Sequence, residues 1–150
     1  MTADRPVFDS ESVARLRRVI TRLSRMLNES AQAEGLTPSQ ASVLAVVGGR
    51  GPIGLAELAE IEGINPTMLS RIVSKLDTLG LLRRTPHPND QRAALVEATD
   101  AGQATSERIR ETRSMTVTKI LDTLPADTTA TLLLALPALE ALATANDRKP

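Results

Sequence analysis

Between Leu55 and Gly80 the chain joins two stretches of helix-compatible apolar spacing through residues that stop a helix and start another. This punctuation narrows the possible folds more than any bulk property. Leu55, Leu58 and Ala59 share the inner face of a short helix near residues 55–61. Gly63 falls where a tight turn is needed, Asn65 can cap, and Pro66 fits the first position of the next helix, where a missing N–H costs nothing. Leu69, Ile72, Val73, Leu76 and Leu79 then recur at helical intervals and are expected to face inward. Thr67, Ser70, Arg71, Ser74 and Lys75 gather on the opposite side, and Gly80 ends the helix. Two short helices joined by a tight turn, the second with a small-polar and basic outer face, form a helix-turn-helix layout.

The flanking segments complete the pattern. Leu81-Leu82-Arg83-Arg84-Thr85 and Arg92–Ala98 read as two short strands, and Pro86-His87-Pro88-Asn89-Asp90-Gln91 between them as a turn or protruding hairpin. Directly behind a helix-turn-helix, such a hairpin is a wing. Upstream, Val13, Leu16, Ile20, Leu23 and Leu27 define a long amphipathic helix over about residues 10–33. Its other side carries Arg15, Arg18, Arg22 and Arg25. These are either a solvated face, with Glu11–Arg15 and Arg25–Glu29 as i,i+4 pairs, or a face turned to an anionic ligand or to acids of a partner subunit. Thr37-Pro38-Ser39-Gln40 reads as a capping box opening a short helix, expected to stop at Gly48-Gly49. Thr99-Asp100-Ala101-Gly102 opens a long helix to about Leu124, and a last helix covers about residues 127–146, with a kink expected at Pro137.

Composition excludes several kinds of chemistry. With no cysteine and His87 the one histidine, neither thiol chemistry nor a histidine-rich metal site can be built, and no cofactor is expected. Phe8 is the one aromatic residue, so stacking of flavins or single-stranded bases has no platform. No nucleophile is paired with a base, and an enzyme is not expected. The opening residues lack a signal-peptide pattern, and the richest apolar stretch, Leu132 to Ala145, contains Pro137 and Glu140 and is read as too short to span a bilayer. The expectation is a cytoplasmic protein of one domain in its 150 residues, without a membrane partner. Net charge is zero, yet residues 63–92 hold five basic residues (Arg71, Lys75, Arg83, Arg84, Arg92) against two acidic ones (Asp77, Asp90). A local basic segment between acidic neighbours suits docking on phosphate without general adhesion to polyanions.

Four segments carry a resemblance to the MarR family of winged-helix transcription regulators. They are Leu55-Ala56-Glu57-Leu58-Ala59, the stretch Asn65–Leu76 with Leu79-Gly80-Leu81-Leu82 behind it, Asp90-Gln91-Arg92, and Ala98-Thr99-Asp100-Ala101-Gly102. The resemblance implies a mainly α fold with a small β wing, forming one domain over 10–146. Within it, 37–98 make the winged-helix lobe (helix-turn-helix about 55–79, wing about 82–98), while 10–33 and 100–146 form a helical dimerisation stalk. It implies a homodimer that binds double-stranded DNA at a pseudo-palindromic operator, as a repressor. Thr67, Ser70 and Arg71 would reach base edges; Ser74, Lys75 and the helix start at Pro66 would meet phosphate. Arg92 would enter the minor groove, positioned by Asp90, and Arg84 would contact the backbone at the base of the wing, a role Arg83 could also take. Gln91 stands where the family often has a second arginine. The family further implies release by a small effector; without aromatic residues in the cleft, an anionic or aliphatic molecule held by Arg15, Arg18 and Arg22 is the expectation. A non-specific architectural DNA binder is the alternative, disfavoured by the zero net charge.

Overall fold

The computed structural model describes residues 7–145, which form α1 (Ser10–Ala33), α2 (Pro38–Arg50), β1 (Ile53–Gly54), α3 (Leu55–Glu62), α4 (Pro66–Thr78), β2 (Leu82–His87), β3 (Asp90–Ala98), α5 (Asp100–Leu121) and α6 (Ala126–Thr144). The fold is mainly helical with one antiparallel sheet in the order β1-β3-β2. The chain packs as two compact units, the first ending at Arg113 and the second starting at Ser114.

Local chemistry sets the helix starts of the first unit. Asp9 caps α1, its carboxylate accepting from the Ser12 N–H at 2.7 Å, and this hydrogen bond holds the Asp9 carboxyl below the usual carboxylate range. Thr37 and Gln40 form a reciprocal capping box on α2. Asn65 caps α4, accepting from the Met68 N–H at 2.8 Å, and Pro66 occupies the first turn. Gly63 supplies the left-handed residue (φ 62°) that ends α3 and turns the chain into α4.

Packing then fixes these elements around one core. Val43, Leu44 and Val47 of α2, Leu58 of α3, Leu69, Val73 and Leu76 of α4, Leu82 of β2 and Val96 of β3 are all buried within it. Burying a side chain of this size is worth about 1.5–3 kcal/mol. The hairpin is in register with Leu82 opposite Ala98, Arg83 opposite Glu97 and Arg84 opposite Val96. β2 is an edge strand, which is where Pro86 can sit without removing a ladder hydrogen bond from the sheet interior.

Several expectations are corrected here. α2 runs through Gly48-Gly49 to Arg50, because its buried face anchors it and the Gln103 side-chain amide donates to the Gly48 carbonyl at 3.1 Å. Leu79 is the C-cap of α4 and is exposed, since the chain leaves the helix there before its side chain can turn inward. The strands of the wing reach further than the alternation indicated, to His87 and from Asp90, leaving Pro88-Asn89 as the turn. β1 was not read from the sequence; its two residues pair with Val96 and Leu95 of β3.

At the root of α5, Thr99 both accepts from the Gly102 N–H (3.0 Å) and donates its hydroxyl to the Gly80 carbonyl (2.6 Å). Gly102 packs directly on the Leu81 backbone, where a Cβ would collide with the Leu81 carbonyl oxygen. Further along, Arg108 of α5 makes a bidentate pair with Glu34 at the end of α1, at 2.9 and 3.2 Å. Arg113 donates to the Leu27 carbonyl and the Ser30 hydroxyl, both at 3.2 Å. The i,i+4 pairs Glu11–Arg15 and Arg25–Glu29 are not among the ion pairs of the described residues.

Away from that joint, α1 exposes Val13, Val19, Ile20 and Leu23. In the second unit the end of α5 exposes Met115, Val117 and Ile120. On α6, none of whose residues is buried, Leu133 and Leu134 are 67% and 83% exposed. α6 spans 19 residues with a mean hydropathy of 1.3, so by length and composition alone it is long and apolar enough to cross a membrane, contrary to the shorter stretch read from the sequence. It continues through Pro137 as one helix.

Candidate nucleic-acid interface

α4 divides its surface cleanly. Leu69, Ile72, Val73 and Leu76 are buried, while Pro66, Thr67, Ser70, Arg71, Ser74 and Lys75 are all exposed. Thr67, Arg71 and Ser74 follow one another at intervals of four and three, a single row up the outer face, with Ser70 and Lys75 on either side of it. Arg71 and Lys75 lie one helical turn apart, and neither makes an ion pair among the described residues. Like charges at this spacing destabilise an isolated helix slightly, so helix stability does not account for their placement.

The wing adds a third cation to this face. Arg84 reaches from β2 to α4, donating to the Ser74 hydroxyl at 3.3 Å. Its neighbour Arg83 points elsewhere and pairs with Glu97 across the hairpin at 2.6 Å. Of the two arginines between which the sequence left the choice open, Arg84 adjoins α4 and Arg83 is neutralised on the sheet. Asp90 begins β3 beyond the tight turn, where the His87 ring nitrogen accepts from the Asn89 N–H at 3.1 Å. Arg92 belongs to β3, but its side chain, like that of Gln91, lies outside the described residues, and with it the expected Asp90–Arg92 pairing.

The start of α4 offers less to an anion than the sequence indicated. The Met68 N–H is satisfied by the Asn65 side chain and the Leu69 N–H by the Asn65 carbonyl. Pro66 has no N–H, so the Thr67 N–H is the first-turn donor left open among the described residues. The three arginines expected to hold an effector, Arg15, Arg18 and Arg22, are exposed on α1. They do not line a cavity of about 200 Å³ between α2 and α5, whose walls are Ala45, Gly48, Gly49, Gln103, Ser106, Glu107 and Arg110. No group of three or more metal-binding side chains occurs among the described residues.

A short helix seated by a tight turn on a second helix, with a polar and cationic outer face and a two-stranded wing beside it, defines a winged helix-turn-helix protein. Comparison with known proteins agrees. The model of the MarR family matches residues 36–94. A curated relative, the multiple antibiotic resistance protein MarR of Salmonella typhimurium, is 30% identical over 109 residues, 72% of this chain and 76% of its own length. The uncharacterized HTH-type transcriptional regulator Mb0904 of Mycobacterium bovis is 28% identical over 116 residues, 77% of this chain and 81% of its own. Among solved structures, a mutant MarR from E. coli superposes with a TM-score of 0.76 at 26% identity, over 90% of this chain and 98% of that one. The same protein complexed with operator DNA gives 0.67 at 27%, over 87% and 94%. The chain belongs to the MarR family of transcriptional regulators, and it is not an enzyme.

Proposed function

We propose that the chain is a cytoplasmic, homodimeric, sequence-specific regulator that places α4 in the major groove of double-stranded DNA and represses by occupying its operator. The observation that carries this reading is the face of α4, where Thr67, Ser70 and Arg71 stand exposed on the N-terminal half and Ser74, Lys75 and Arg84 form a cationic shoulder behind them. Side chains in the first turns of such a helix reach base edges, and an arginine bidentate to guanine is the commonest specific contact. Lys75, Arg84 and, on the wing, Arg92 with Asp90 beside it supply phosphate and minor-groove contacts, while Pro66 and the open Thr67 N–H meet a phosphate at the helix start.

Dimerisation is supported by the apolar side chains left exposed on α1 in the first unit and on the end of α5 and α6 in the second, since exposed apolar patches mark association sites. A second copy accounts for α6 better than a bilayer does, since Asp127 and Glu140 would both enter the hydrocarbon. Two-fold symmetry then requires a near-palindromic operator with half-sites about 34–36 Å apart. Zero net charge favours base readout over a purely architectural role, which needs many phosphate neutralisations. Release by a small anionic or aliphatic effector held by Arg15, Arg18 and Arg22 would operate through tighter binding to the conformation that misfits DNA.

Selection from a random duplex library at near-physiological salt tests the reading. Recovery of a two-fold symmetric motif with half-sites one helical turn apart is the expected result. Binding without sequence preference would establish the architectural alternative instead, and no binding to duplex DNA would overturn both.

A further inference from the structure

One residue on the α4 face is of the wrong polarity for a phosphate-docking surface. Met68 is 50% exposed in the first turn of the helix, among Thr67, Arg71 and Lys75, while the inward positions are filled by Leu69, Ile72, Val73 and Leu76. Its backbone is held in place, because its N–H is the one capped by the Asn65 side chain. Helical spacing puts Met68 on the same flank as Arg71, three residues on, and Lys75, seven on. A long, unbranched, polarisable side chain therefore projects from the turn that enters the groove, beside two cations further along the helix that bring a polyanion to it.

Resting on the DNA-binding reading above, we infer that Met68 is a specificity-determining residue that packs on the C5-methyl group of a thymine in each half-site. The thymine methyl is the apolar feature of the major-groove edge, and apolar side chains read it by contact. A flexible thioether can cover that methyl without fixing a hydrogen-bond geometry, which leaves the polar readout to Thr67, Ser70 and Arg71. Other flexible apolar occupants of the groove are lacking, since the remaining exposed residues of α4 up to Thr78 are polar or Pro66.

Deoxyuridine tests this directly, because it removes the methyl and leaves every hydrogen-bonding group of the base edge intact. Each thymine of the selected site is replaced in turn, symmetrically in both half-sites, and binding is measured for the wild-type protein and for Met68→Ala and Thr67→Ser. The expected result is one position per half-site where the paired deoxyuridine replacement weakens wild-type binding about 10–20-fold, the scale of two buried methyl groups, one in each half-site. Met68→Ala should bind the thymine site as weakly as wild type binds the deoxyuridine site, with no further loss on replacement, and Thr67→Ser should keep the sensitivity. A flat deoxyuridine scan, or a sensitivity that survives Met68→Ala or vanishes with Thr67→Ser, overturns the inference while leaving the DNA-binding reading intact. Failure of the wild-type protein to select any site overturns both.

Discussion

At Gly102 the absence of a single carbon decides how the long helix meets the lobe. The Leu81 carbonyl oxygen occupies the place where a Cβ would stand, and Thr99 has already committed its hydroxyl to the Gly80 carbonyl and the Gly102 N–H. Neither side of that contact can give way cheaply. Gly102→Ala should therefore lower stability by about 1–3 kcal/mol, the usual cost of overpacking, measured by urea unfolding; an unchanged midpoint would show that the root of α5 yields. The interface residues separate by a different criterion. Arg84, beside the Ser74 hydroxyl, and Arg92 on the wing are assigned to charge rather than to bases. Substituting either by Ala should weaken binding to all sequences alike and reduce the slope of log K against log salt by about one. An unchanged slope for Arg92→Ala would remove the wing from the interface.

Elements bounded by strong local signals were legible in the sequence, and those fixed by distant partners were not. Asn65-Pro66 and Gly63 marked the turn before α4 because capping and left-handed backbone are properties of the residues themselves. The capping box at Thr37 and Gln40 was legible for the same reason. The choice between Arg83 and Arg84 was not, since it depends on Glu97 standing opposite Arg83 across the hairpin. Periodicity carried Leu79 inward although the helix ends there, and the glycine pair in α2 concealed a helix whose last turn is held by Gln103. The joint between α1 and α5 also escaped the sequence, because Arg108 and Glu34 are separated by 74 positions and Arg113 and Ser30 by 83. Arg108's hydrogen bonds hold the Glu34 carboxyl below the usual range, and Glu34 in turn raises the Arg108 guanidinium. A depressed carboxyl contributes stability above its unfolded value and loses it as pH falls through the folded one. Wild type should therefore exceed Glu34→Gln in stability at neutral pH, and the difference should shrink below about pH 4.5, the ordinary glutamate value. A difference independent of pH, followed by urea unfolding across that range, would show that the ion pair does not hold the joint.

For the whole molecule, the proposed function assigns DNA to the charged exposed residues and a second copy to the apolar ones. The cationic face of α4 is the one proposed to meet a polyanion, and the apolar side chains exposed on α1 in the first unit and on the end of α5 and α6 in the second are those a second copy is proposed to cover. Placing a charge on α6 should separate the two roles. Leu134→Asp is expected to raise the concentration at which the dimer half-dissociates tenfold or more, about 1.4 kcal/mol, in sedimentation velocity. A dimer as tight as wild type would exclude that part of α6 from the interface, and a folded wild-type monomer at micromolar concentration would contradict the homodimer altogether. Zero net charge leaves little sequence-independent attraction to DNA, and the proposed reading places discrimination on α4. The most direct measurement is therefore the binding of Arg71→Ala to the selected site and to its single-base-pair variants. A loss of about 1–3 kcal/mol of discrimination confined to particular base pairs is what a base-reading arginine predicts. A uniform loss across all sequences would instead reduce Arg71 to a phosphate contact and contradict the assignment of α4 as the helix that reads the operator.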